Sequence, residues 1–126
     1  MFLKYLLLFS ILFIQGCKVE KNIDPNEGLY ERNKFKRATL VLRVKLITKG
    51  SGSKYYWPKV KIIKIFKNSI TNPVSVNQIL MVAHYNSEPG IPVGISTLYL
   101  EKYSPEGKEW ALLKRSGREG VSHTEK

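Results

Sequence analysis

Apolar and polar residues alternate over five short stretches separated by turn-rich segments, and a period of two is the signal of half-buried strands. Ala38–Thr48 (ATLVLRVKLIT) is the clearest: Leu40, Leu42, Val44 and Leu46 fall on one face, and Val41, Arg43, Lys45 and Ile47 on the other. Gly50-Ser51-Gly52-Ser53 then breaks the pattern. Tyr55–Phe66 (YYWPKVKIIKIF) is a second strand in which Val60 and Ile62 share a face before the apolar phase slips to Ile63 and Ile65. A slip of one residue flips a strand's face, and a β-bulge at Ile62-Ile63 absorbs it while bending the strand. Pro58 cannot donate a ladder bond, so it marks an edge or a strand start. Lys67–Pro73 is a loop. Val74–Ala83, Ile95–Tyr103 and Trp110–Leu113 are the third, fourth and fifth strands. His84–Gly94 carries two prolines and two glycines, which argues against a helix there, and Ser104-Pro105-Glu106-Gly107 is a turn.

Five short strands, one of them strongly bent, and no helical pattern predict an all-β domain: a small, partly open five-stranded barrel of the OB type, with a small β-sandwich as the alternative. The domain runs over 35–113, with Leu29, Tyr30 and Phe35 marking its approach. Residues 18–33 are polar and centred on Asp24-Pro25-Asn26-Glu27-Gly28, so 17–34 reads as a tether. Residues 114–126 lack a core pattern and read as a flexible basic tail.

The amino-terminal segment MFLKYLLLFSILFIQGC is different in kind. One charge, Lys4, precedes an apolar run from Tyr5 to Ile14 that falls short of the roughly 20 residues a spanning helix needs. It suits a secretory signal, which needs a short apolar stretch and small residues at the cut. Ile14-Gln15-Gly16-Cys17 resembles the lipobox of bacterial lipoproteins, with Gly16 and Cys17 in place, Ile14 a conservative change and Gln15 a departure. The resemblance implies cleavage of 1–16 and acylation of Cys17, leaving about 110 residues tethered to a membrane by fatty acids. Lys18 follows the cysteine. In enterobacteria-like systems an Asp there resembles an inner-membrane retention signal, so the implied place is the outer membrane of a Gram-negative cell, facing the periplasm or the surface. Cys17 is the only cysteine, so the fold is held by packing without a disulfide.

Charge changes the picture again. The chain carries a net +11, and from Arg32 to Ser87 there is no Asp or Glu. Such asymmetry speaks of partners rather than of fold. If the first two strands pair antiparallel, Arg43, Lys45, Lys59 and Lys61 share one exterior patch, a candidate site for an anionic envelope polymer or a lipid head group. The alternative is that long Lys stems merely cover a sheet face. Tyr55, Tyr56 and Trp57 sit beside this patch. Aromatic residues there suit a protein hot spot, sugars or single-stranded nucleic acid, or else barrel-mouth packing; an envelope location disfavours nucleic acid. Ile91 and Val93, in the stiff loop Ser87–Gly94, are candidate partner contacts if exposed and core caps if buried.

Catalytic chemistry finds little support. The histidines are His84 and His123, and a nucleophile needs a positioned base while a metal needs clustered ligands. The sequence predicts a non-catalytic protein without cofactor or metal, whose leading role is binding a protein partner in an envelope complex. An enzyme is the least favoured reading.

The order of motifs also resembles netrin-like and tissue-inhibitor-of-metalloproteinase domains, which are OB barrels. Ala38-Thr39-Leu40-Val41 stands where that family begins its first strand. Ile62–Asn68 (IIKIFKN) is similar to the end of its second, with Asn68 in place of Gly, and Gly94–Leu100 to the element leading its fourth. The resemblance supports the fold. The family's inhibitory chemistry needs a free amino group on a disulfide-bonded first cysteine, and an acylated Cys17 has neither.

Overall fold

The computed structural model describes residues 28–125, so the expected signal segment 1–16, Cys17 and the expected tether as far as residue 27 lie outside the described residues. Strands are β1 (Leu40–Thr48), β2 (Tyr55–Tyr56), β3 (Lys59–Lys67), β4 (Ile79–Tyr85), β5 (Ile95–Lys102), β6 (Trp110–Leu112) and β7 (Val121–Glu125). A short helix α1 (Arg32–Arg37) precedes them, and a 3₁₀ turn (Leu113–Arg115) and helix α2 (Gly117–Gly120) join β6 to β7. Pairing runs β1–β3–β4–β6–β5 and returns from β5 to β1, closing a five-stranded barrel. The β4–β6 pair is parallel, whereas the other pairs of the ring are antiparallel. This is an OB-fold-like barrel, with β2 added to β4 and β7 added to β5.

The alternation in β1 does what it predicts. Leu40, Leu42 and Val44 are fully buried in the barrel, with Leu46 partly buried at its end. They meet Val60 and Ile62 of β3, Val82 of β4, Leu98 and Leu100 of β5, and Trp110 and Leu112 of β6. Each such side chain contributes about 1.5–3 kcal/mol on burial, which replaces the disulfide this chain lacks. The bulge also lies where the phase slips. Arg43 pairs with Lys64 but Val44 pairs with Ile62, so Ile63 is the extra residue. Ile63 points to solvent, and beyond it Ile65 returns to the core.

Several expected boundaries move. The second strand is not continuous: Trp57-Pro58 divides β2 from β3, and the Pro58 carbonyl accepts from the Val82 amide at 3.0 Å. The third strand starts at Ile79 rather than Val74, because residues 68–78 are held by local bonds. Asn68 Oδ1 accepts from the Ser69 and Val74 amides at 2.9 and 3.0 Å, and Asn68 Nδ2 donates to the Val74 carbonyl at 3.0 Å. Asn68 thus organises the loop through its side chain, a role glycine could not fill.

The larger corrections concern the two ends. The domain begins near Leu29, before residue 35, and a helix is present. Tyr30 stacks on Phe35 with ring centroids 4.8 Å apart, and both pack on Ala38, Val41, Tyr99 and Leu113 outside the barrel. RNKFKR lacks a helical apolar stripe, and so short a helix is held by packing rather than propensity. Residues 114–125 are likewise not a frayed tail. β7, which includes His123, pairs with β5, and Arg37 of α1 reaches Glu119 of α2 at 3.1 Å. The Tyr99 hydroxyl joins both ends, accepting from the Glu31 amide at 2.5 Å and from Ser122 Oγ at 2.8 Å. Burial raises its pKa above the ordinary 10.0.

Candidate functional site

Backbone alternation sends Tyr55 and Tyr56 to opposite sides of β2, and each builds a different environment. Tyr56 meets His84 edge-on at 5.5 Å and, with Pro58, forms one wall of a cleft of about 250 Å³. The loop between β4 and β5 forms the other wall through Pro89, Ile91, Pro92 and Val93, and Lys49 and Glu88 also line it. The two sets of predicted contact residues, more than 30 positions apart, therefore converge on one cleft through Tyr56, Ile91 and Val93. Their roles differ. Ile91 is buried and joins the barrel core, as the capping alternative had it, whereas Val93 is 68% exposed at the rim.

The cleft is preformed because its loop is clamped from beneath. Gly90 has φ +75°, and a Cβ there would lie 2.5 Å from the His84 ring. Gly117 of α2 packs in turn against Gly90, where a Cβ would collide with its amide and stand 2.9 Å from its carbonyl oxygen. Arg118 Nε lies 3.6 Å from Glu88 Oε2. Histidine, loop and C-terminal helix are thus stacked at backbone contact. His84 is a packing residue: it is 4% exposed, and its Nδ1 lies 2.7 Å from the Tyr85 carbonyl. No group of three or more His, Cys, Asp or Glu able to hold a metal occurs among the described residues.

Tyr55 and Trp57 go instead to an aromatic nest. Tyr55 stacks on Tyr85 at 5.4 Å and meets Tyr103 edge-on at 5.4 Å, while Trp57 packs on Tyr103 at 4.9 Å. The Arg115 guanidinium lies 4.9 Å from the Tyr103 ring and 5.7 Å from the Tyr55 ring, and donates to the Tyr103 carbonyl. Arg115 and Lys114 both have left-handed backbone, with φ of 53° and 55°, a conformation that costs about 1–2 kcal/mol per non-glycine residue. The nest is thus packing around an arginine from the segment read as a tail. Sequence reasoning missed this arginine because its partners are far along the chain.

Strand register places the basic candidates along β1 and β3. Lys45 stands directly opposite Lys61, and Lys59 opposite Thr48. Arg43 is half-buried and donates to Thr97 Oγ1 at 3.3 Å. Across the bulge, Lys64 stands opposite Arg43, and its Nζ lies 5.1 Å from the Phe66 ring.

Comparison with protein-family models, with curated proteins and with solved structures finds no match to this chain in any of the three. The class is therefore defined by its own geometry: an OB-fold-like barrel with a proline-lined cleft at one end and a basic outer wall. No helix among the described residues is long and apolar enough to cross a membrane.

Proposed function

We propose that the protein is a small bacterial lipoprotein, attached to the cell envelope through Cys17, whose barrel is a non-catalytic module binding a protein partner. The anchor reading rests on Ile14-Gln15-Gly16-Cys17 following a short apolar run. The binding reading is carried by one observation: the cleft between Tyr56 and the 88–93 loop is lined by prolines and aromatic rings among a few polar groups, and its loop is clamped at glycine contacts. Prolines at three positions and a backbone without room to relax mean little ordering is needed on association, which favours affinity. Its size accommodates one or two side chains of an extended partner segment. Lys49 and Glu88 at its walls offer one charge of each sign to the flanking residues.

A photoreactive residue at Val93 of the full chain, irradiated in solubilised envelope membranes at low salt and at about 1 M salt, tests this. The expected result is one discrete adduct with an envelope protein that still forms at about 1 M salt, where screening shortens to about 3 Å, and that is lost with Tyr56→Ala. Adducts that fail to form in high salt, or none at all, sink the protein-partner reading. Loss of fatty-acid labelling with Cys17→Ser tests the anchor separately.

A further inference from the structure

The outer wall of β1, β3 and β4 has a chemistry that the cleft does not use. Register gives two cross-strand rungs, Lys45–Lys61–Ile79 and Thr48–Lys59–Met81. Residues directly opposite share a face, so three ammonium groups and two large apolar side chains leave the barrel together. Ile79 is 56% exposed and Met81 48%, and Ile47, two residues beyond Lys45, is 46% exposed at the margin. The three strands contain no Asp or Glu. Among the described residues no side-chain hydrogen bond or ion pair engages the ammonium groups of Lys45, Lys59 or Lys61. Two lysines placed directly opposite one another repel and cost stability, a cost an anion between them would remove.

We propose that this face docks on an anionic membrane surface, with Lys45, Lys59 and Lys61 on lipid phosphates and Ile79 and Met81 entering the boundary between head groups and acyl chains. The apolar members decide between sources of negative charge. A soluble polyanion satisfies the lysines but leaves Ile79 and Met81 against a polar chain. A lipid surface satisfies both, because lysine stems lie along the apolar layer while their ammonium groups reach the phosphates. The inference is independent of what fills the cleft and of how the chain is attached.

The test is footprinting of the full chain mixed with vesicles, without washing. One set is phosphatidylcholine alone and the other equal parts phosphatidylcholine and phosphatidylglycerol. The expected result is that phosphatidylglycerol lowers acylation of Lys45, Lys59 and Lys61 and oxidation of Met81, while Lys108 in the β5–β6 turn is labelled equally on both. Lys45→Gln with Lys61→Gln should weaken the effect at Lys59 and Met81 about fivefold per lysine removed. Ile79→Ser with Met81→Ser, at exposed positions that leave the core intact, should weaken it and render the remainder labile to salt. Dextran sulfate should protect the lysines but not Met81. Equal labelling on both vesicles overturns the proposal. So does protection of Met81 by dextran sulfate, or protection that rises with protein concentration in the absence of vesicles, which would mark a contact between two copies.

Discussion

Strand β1 runs through two halves of the barrel wall that share a parity and little else. Val41 and Lys45 both point outward, two alternations apart. Val41 is fully buried under Phe35, Tyr30 and Leu113, with Tyr99 of β5 beside it. Lys45 stands bare opposite Lys61. The covered half carries Val41, Thr97 and Tyr99; the bare half carries Lys45, Lys59, Lys61, Ile79 and Met81. Alternation along a strand decides what is inside the barrel. It does not decide whether outside means solvent, because that depends on segments that are not strands. Here the two ends of the domain cover one half, joined by Arg37–Glu119 and by Lys34 Nζ donating to the Arg118 carbonyl at 3.3 Å.

The comparison breaks most severely at the glycine stack. Gly90→Ala combines a left-handed backbone with a Cβ 2.5 Å from the His84 ring. Overpacking and the conformational penalty together should cost about 3 kcal/mol, lowering Tm by well over 10 °C for a domain of this size. Thermal unfolding checks it, and a stable Gly90→Ala or Gly117→Ala protein would mean that the terminal helix does not clamp the loop.

Tyr99→Phe removes one hydroxyl and leaves the ring. The Glu31 amide and Ser122 hydroxyl lose their acceptor, at a cost of about 1–2 kcal/mol. Hydrogen exchange should accelerate at Glu31 and in β7 far more than in β1 or β3. Uniform acceleration would show that the covering layer and the barrel unfold as one unit.

The same tyrosine gives the covered half an alkaline weakness. Its pKa is raised in the folded state by burial, from an ordinary 10.0. Unfolding therefore releases its proton first, so its contribution is complete below pH 10 and is lost as pH rises toward the folded value. Denaturant midpoints measured upward from pH 9 should fall less in Tyr99→Phe than in the parent chain. Parallel curves would show that the hydroxyl is not sheltered.

The smallest effect belongs to the bare half and has the opposite sign. Lys61→Glu replaces a like-charge pair with Lys45 by an opposite-charge pair, and should stabilise the fold by roughly 0.2–1 kcal/mol. The same change should abolish the lysine and Met81 protection on phosphatidylglycerol vesicles. A protein stabilised yet still protected would separate the docking face from this rung.

The sequence by itself determined the main strands, their core-facing residues and the bulge, while the β1–β5 pairing that closes a barrel rather than a sandwich is tertiary. The alternation of Leu40, Leu42 and Val44, the phase slip at Ile62-Ile63 and the turn residues between strands are local patterns with one geometric reading each, and the core and the bulge stand where those patterns place them. It also pointed to Lys45 and Lys61 sharing a face, since two strands joined by a short connection pair antiparallel. Tertiary structure decided the rest. RNKFKR becomes a helix because Phe35 finds Tyr30 and Val41, and 114–125 becomes structure because Glu119 finds Arg37 and β7 finds β5. The cleft joins Tyr56 to Val93 because Gly117 presses Gly90 onto His84. Most of these contacts link residues tens of positions apart, and each stabilises only when its partner is already in place. No period along the chain records them.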